Sequence, residues 1–152
     1  MSLYKAQVDV SVMLSEMVED IELLPPELEV QTEIADELRV WSDRDLLTQV
    51  LQNLFSNAIK YNLPNGLIRI HAHQQAGTLV VTKSNASKDI PDRDRDLIFN
   101  RFHRGDPART RKVEGTGLGL SLAREIARVH GGDLTLDPVS FGQTAFTLNL
   151  SV

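Results

Sequence analysis

The sequence predicts a two-layer α/β sandwich, a mixed sheet of about five strands with three helices on one face. Three observations carry this. Two long segments repeat apolar residues at the helical period, two alternating segments flank a glycine turn, and helical and extended patterns interleave along the chain. At 152 residues, 41% of them hydrophobic, the chain suits one domain spanning 1–152 and is too apolar for disorder. It contains no cysteine, which excludes a disulfide framework, a thiol nucleophile and a cysteine zinc site. No apolar run is long enough for a membrane helix, and the start, MSLYKAQVDV, has no signal-peptide core.

The elements follow in order. After an extended start at Leu3–Gln7, Ser11 is expected to cap a helix running to about Leu24, with Val12, Met13, Met17, Val18 and Ile21 on one side. Pro25-Pro26 stops it. Leu28–Ile34 and Leu38–Trp41 read as strands. Asp43 looks like the N-cap of the strongest helix, which runs to about Tyr61 and carries a broad stripe from Leu46 to Ile59. Pro64-Asn65-Gly66 marks a turn. Leu67–His73 and Thr78–Lys83, joined through Gly77, read as an antiparallel hairpin. Residues 84–117 show only one short helical stretch, Asp96–His103. A long irregular segment inside a small domain is usually functional. Leu118–His130 forms the last helix, ended by Gly131-Gly132, and Leu134–Leu136 and Thr144–Leu150 close the sheet.

Charge is distributed unevenly. The chain has 21 acidic and 16 basic side chains, a net −5 that argues against nucleic acid as a partner. Residues 1–50 hold twelve acids and three bases, whereas seven bases fall between Arg93 and Lys112. That basic stretch reads either as a solvated loop or as a cationic segment that closes over an anionic ligand.

Three features could carry chemistry. Gln49, Asn53, Asn57 and Lys60 form a polar stripe beside the apolar one. Asparagine is a mediocre helix former, so two of them one turn apart need a reason. Amide oxygens can ligate Mg²⁺, and a lysine one turn on could meet phosphate. A plain solvated face is the competing reading. The second feature is Gly115-Thr116-Gly117-Leu118-Gly119-Leu120, which leads into a helix. Glycines allow close backbone approach to an anion that the helix N-terminus favours. It is not a Walker loop, because no Gly-Lys-Ser/Thr follows, and its glycine spacing is wrong for a dinucleotide fingerprint. The third is IFNRFHR, Ile98 to Arg104, whose Phe99 and Phe102 could anchor one end of the basic loop.

Taken together, NLFSNAIKY (53–61), IFNRFHR (98–104) and GTGLGLSLAREIARVHGG (115–132) resemble the ATP-binding catalytic domain of sensor histidine kinases, one branch of the Bergerat-fold ATPases. The resemblance extends over nearly the whole chain and implies a Bergerat sandwich with a flexible ATP lid at about 91–114. It implies that Asn57 ligates Mg²⁺ with Asn53 close to the metal and phosphates, that Lys60 contacts phosphate and that Tyr61 packs near the adenine or ribose. Ile90 would floor the adenine pocket and Arg104 would reach the terminal phosphate. The amides of Gly117, Leu118, Gly119 and Leu120, with Thr116 leading into them, would cradle the polyphosphate.

One box departs from the family pattern. Where the family places Asp-x-Gly-x-Gly to recognise the adenine amine, this chain has Asn85-Ala86-Ser87-Lys88-Asp89. Asparagine keeps an acceptor oxygen but loses the charge and brings an NH₂ that also needs a partner. His71, His73, His103 and His130 all lack the context of a phospho-acceptor. His71 and His73 alternate on a strand facing solvent, and a cationic His130 would suit the end of its helix. The resemblance therefore implies a catalytic domain whose dimerising histidine domain lies outside this chain. A response-regulator receiver would be the next partner, and the parent would be a homodimer with this domain in the cytoplasm, out of contact with the membrane. Another Bergerat ATPase, such as a serine kinase, and a nucleotide-free interaction module share parts of the pattern.

Overall fold

In the computed structural model, residues 2–22, 28–95, 97–99, 119–138 and 141–152 are described. The chain begins with strand β1 (Lys5–Asp9) and helix α1 (Val10–Glu22), followed by strands β2 (Glu29–Ile34) and β3 (Arg39–Asp43). Helix α2 (Arg44–Lys60) leads to β4 (Leu67–Gln75) and β5 (Thr78–Ala86). A single turn, α3 (Asp92–Arg95), helix α4 (Gly119–Val129), β6 (Asp133–Leu136) and β7 (Gln143–Ser151) complete the order. Five strands form one mixed sheet in the order β2-β4-β5-β7-β6, with β2 and β4 parallel and the other pairs antiparallel. The predicted sandwich and its five-stranded sheet are therefore present. β1 and β3 pair separately as a two-stranded ribbon, which local patterning does not foretell.

Alternation along the strands decides which face is covered. Ile68, Ile70 and Ala72 of β4, Leu79 and Val81 of β5, and Phe146, Leu148 and Leu150 of β7 are all buried, in one core with α1, α2 and α4. Arg69, His71, Thr82 and Thr147 occupy the intervening positions. α2 begins as expected: the Asp43 carboxylate accepts from the Leu46 amide at 3.1 Å. Its stripe buries Leu47, Val50, Leu51, Leu54, Phe55 and Ala58.

The hairpin turns through Ala76 and Gly77, both at positive φ (50° and 78°), as a two-residue turn matching the strand twist requires. α4 closes in a Schellman arrangement. Gly131, at φ 80°, donates to Arg128 O (3.1 Å) and Gly132 donates to Ala127 O (3.0 Å).

Four expectations need correction. The cap of α1 is Asp9, whose carboxylate accepts from the Val12 amide (3.1 Å), while Ser11 lies inside the helix. Ser11 instead donates to Ala35 O (2.7 Å) and accepts from the Leu38 amide (2.9 Å), tying α1 to the β2–β3 connection. β5 continues to Ala86 because its backbone pairs with β7 through Ala86↔Gln143. The helical stretch expected at Asp96–His103 is turn over its described part, 97–99. The helical turn sits earlier, where Pro91 O accepts from the Asp94 and Arg95 amides (2.8 and 3.1 Å). Finally, His130 is buried, and its Nε2 accepts from the Asp43 amide (3.1 Å) while Nδ1 reaches Ile126 O (2.8 Å). A ring nitrogen that accepts carries no proton there, so His130 fastens α4 to the start of α2 instead of serving as a helix-end cation.

Candidate functional site

The helix-covered face of the sheet changes character at one end. Along β5, Leu79 and Val81 are followed on the same face by Lys83 and Asn85, with Ser87 just beyond, all three buried. Across on β7, Phe146 pairs with Lys83 and Thr144 with Asn85. Ser87 Oγ and Thr144 Oγ1 are hydrogen-bonded at 2.6 Å. An apolar sheet face thus ends in a polar floor of lysine, amide and hydroxyls.

α2 presents its asparagines to this floor. Lys83 is fully buried, and its Nζ donates to Asn85 Oδ1 at 3.0 Å and to Asn57 Oδ1 at 3.3 Å. The amine also lies 4.8 Å from the centre of the Phe146 ring. Burial, with no carboxylate among the described residues to offset it, pushes the Lys83 ammonium down to about 7. The lysine beside Asn57 therefore holds its proton less tightly than an exposed one. One turn earlier, Asn53 Nδ2 donates to Gly119 O at 3.3 Å, joining α2 to the first turn of α4.

These contacts bring together Asn53, Asn57, Asn85 and Gly119, four of the described residues that the sequence points to. Asn57 and Asn85 meet through Lys83, and Asn53 meets the glycine turn at Gly119. Lys60 is exposed in the last turn of α2, and Tyr61 caps it, half-buried, donating its amide to Asn57 O (3.1 Å). Ile90 is half-buried after β5, and Leu120 packs against the core. Arg104, Thr116, Gly117 and Leu118 lie outside the described residues, as does the stretch 100–118 that holds most of the predicted lid. Phe99 of the aromatic box docks edge-on against Phe146 at 5.9 Å, with the Arg124 guanidinium 4.3 Å above its ring. The segment entering the predicted lid is thereby fixed to the same β7 side chain that covers Lys83. Phe102 is outside the described residues.

Lys83, Ser87 and Thr144 were not singled out from the sequence. For Lys83 a signal existed: it follows Leu79 and Val81 at alternate positions, which puts a lysine on the core face. For Ser87 and Thr144, only the β5–β7 register reveals the pairing.

Amide oxygens bordering the floor could hold a hard divalent cation. Among the described residues no group of three or more His, Asp or Glu could hold a metal. The available donors are the neutral amide oxygens of Asn57 and Asn53, hard ligands of the type Mg²⁺ accepts alongside waters and phosphate oxygens. His71 and His73, with ring centres 4.8 Å apart on the opposite face, belong to no such group.

The chain matches the model of the histidine kinase-, DNA gyrase B- and HSP90-like ATPases over residues 42–152. It belongs to this ATPase family. Among its relatives, the sensor histidine kinase WalK of Bacillus subtilis is 40% identical over 116 residues, covering 75% of this chain and 19% of the relative. The sensor protein CzcS of Cupriavidus metallidurans is 33% identical over 126 residues, covering 83% of this chain and 26% of the relative. The chain thus spans well under a third of the length of these curated relatives. Among solved structures, the mycobacterial sensor histidine kinase MprB superposes with a TM-score of 0.82 at 25% identity, over 96% of this chain and 97% of that one. A nucleotide-free catalytic domain of the histidine kinase ThkA gives a TM-score of 0.77 at 25% identity, over 99% and 98%. As a member of the ATPase family, the chain has ATP as its implied substrate, and the polar floor lies within the matched residues. No described helix is long and apolar enough to cross a membrane.

Proposed function

We propose that this chain is the catalytic, ATP-binding domain of a two-component sensor histidine kinase, which presents the γ-phosphate of ATP to a histidine on a separate helical domain. The observation that carries the proposal is the convergence of the asparagine helix, the variant segment at Asn85 and the end of the glycine turn. Asn57 and Asn53 on one helix reach Lys83–Asn85 on the central strand and Gly119 at the opening of the next helix. The family membership and the similarity to sensor kinases support the same reading.

In this reading the base lies over Asn85, with Ile90 beside it and Tyr61 near the base or ribose. The polyphosphate runs toward the N-terminus of α4, where the amides of Gly119 and Leu120 have no partner within the helix. Lys60 and Arg104 neutralise phosphate charge. Mg²⁺, held by Asn57 with Asn53 beside it, would supply further neutralisation of the polyphosphate. The chain itself contributes positioning and electrostatics, because the nucleophile is an imidazole outside it. The acceptor domain, a response-regulator receiver and a homodimeric, cytoplasmic setting are the partners and location this role entails.

The test is transfer. Incubated with γ-labelled ATP and the separate histidine-bearing domain of a sensor kinase parent, the chain should label that histidine, and the label should be acid-labile. Labelling of a serine in place of histidine would favour a serine kinase of the same family. ATP binding with no transfer to any acceptor would contradict the kinase role.

A further inference from the structure

Arg124 joins three elements around one ring. From α4, its Nε donates to Asp133 Oδ1 of β6 at 3.2 Å, and its guanidinium lies 4.3 Å from the centre of the Phe99 ring. Phe99 in turn meets the buried Phe146 of β7 edge-on at 5.9 Å. The Phe99 ring is therefore held between a cation on a helix and an aromatic side chain of the sheet, an arrangement that suits the planar guanidinium. Asp133 is itself fixed in place. Its Oδ1 also accepts from the Leu134 amide (2.8 Å) and from Arg128 Nε (3.1 Å). The Arg124 side chain is only 30% exposed, which leaves it little room to swing away.

Two distances along the chain give this contact a consequence. Gly119, at the opening of α4 that is proposed to receive the polyphosphate, is five residues before Arg124, about 7.5 Å along the helix axis. Phe99 is the last described residue before Arg104, which follows it by five residues, a span of at most about 18 Å. We propose that Arg124 is a positioning residue of the nucleotide site, which clamps Phe99 to α4 and so holds Arg104 within reach of the terminal phosphate. This rests on the reading that the polyphosphate runs toward α4 and that Arg104 meets its last phosphate. Arg124 acts through Phe99, its own guanidinium being engaged by the ring and by the Asp133 carboxylate. ADP lacks the phosphate that Arg104 meets. The contribution of the clamp therefore appears in the ratio of ATP to ADP affinity, whereas a purely structural role would weaken both nucleotides alike.

Calorimetric titration of ATP and of ADP into the chain in the presence of Mg²⁺ tests this. Arg124→Gln and Phe99→Leu should each shift the affinity ratio toward ADP by about threefold or more. Arg128→Gln, which loses a bond to the same Asp133 oxygen, should keep the wild-type ratio. In an Arg104→Ala background, Arg124→Gln should shift the ratio no further, because the clamp acts through Arg104. An unmoved ratio in the folded Arg124→Gln and Phe99→Leu variants overturns the proposal. So does an equal shift in Arg128→Gln, or an undiminished effect of Arg124→Gln in the Arg104→Ala background. Should neither nucleotide bind the wild-type chain, the nucleotide reading itself fails and this inference with it, an outcome distinct from binding with an unmoved ratio.

Discussion

The amine of Lys83 lies 3.3 Å from the side-chain oxygen of Asn57, a contact that joins the second strand of the hairpin to the amide stripe of α2. It puts a basic group, with no carboxylate partner among the described residues, into the core beside the residue proposed to hold the metal. Stability and ligand binding therefore meet at one side chain.

Stability of the metal-free protein should carry the mark of Lys83. Its native ammonium loses its proton near pH 7, against 10.5 for the ordinary lysine. Between those values the unfolded chain binds more protons than the folded one, so stability rises with pH across that window. Urea denaturation of wild type and Lys83→Met should show the wild type gaining about 3 kcal/mol relative to the variant between pH 6.5 and 9.5. Parallel stability curves would show that the amine is not desolvated.

Asn57→Ala should weaken ATP binding in Mg²⁺ by about 100-fold or more and leave little difference between Mg²⁺ and EDTA. Gln52→Ala, on an exposed position of the same helix, should bind as wild type does. Unchanged metal dependence in Asn57→Ala would remove Asn57 from the metal site.

Gly132 sits where α4 turns into β6. A Cβ there would lie 1.6 Å from Asn149 O, a backbone atom that cannot move aside without disturbing β7. Gly132→Ala should therefore cost about 3 kcal/mol or more, or prevent folding. Gly142→Ala meets nothing within 4 Å and is strained only by its φ of 77°, so it should cost about 1 kcal/mol. Thermal melts of the two variants give the comparison, and equal losses would contradict the close approach at Gly132.

Ala76 occupies the left-handed region at φ 50° in the hairpin turn. Replacing it with glycine removes that strain and should stabilise the protein by about 0.5–1 kcal/mol, seen as a raised denaturation midpoint. A loss would mean that the turn adopts another geometry in solution.

What the sequence disclosed follows the range of the forces involved. The Asp43 cap, the stripe of α2, the hairpin turn and the double-glycine stop of α4 depend on neighbours within a few residues, and each was readable. Ser11 resembles a cap locally, yet its partners, Ala35 and Leu38, come from a distant connection. His130 reads locally as a helix-end group, whereas its partner, the Asp43 amide, is 87 residues away. The end of β5 is hidden from local patterning because Ser84 and Asn85 are poor strand formers that pairing with β7 overrides. In the site, the asparagine stripe and the glycine turn were legible as motifs. The link between Asn57 and Asn85 was not, because a buried lysine supplies it and only the fold shows where that lysine ends.

Everything proposed for this chain requires that its polar floor bind Mg·ATP. Calorimetric titration of ATP into the chain at high micromolar concentration, with and without Mg²⁺, addresses it most directly. A saturable heat at one nucleotide per chain that requires Mg²⁺ for full affinity is the predicted result. Absence of any heat of binding would contradict the claim.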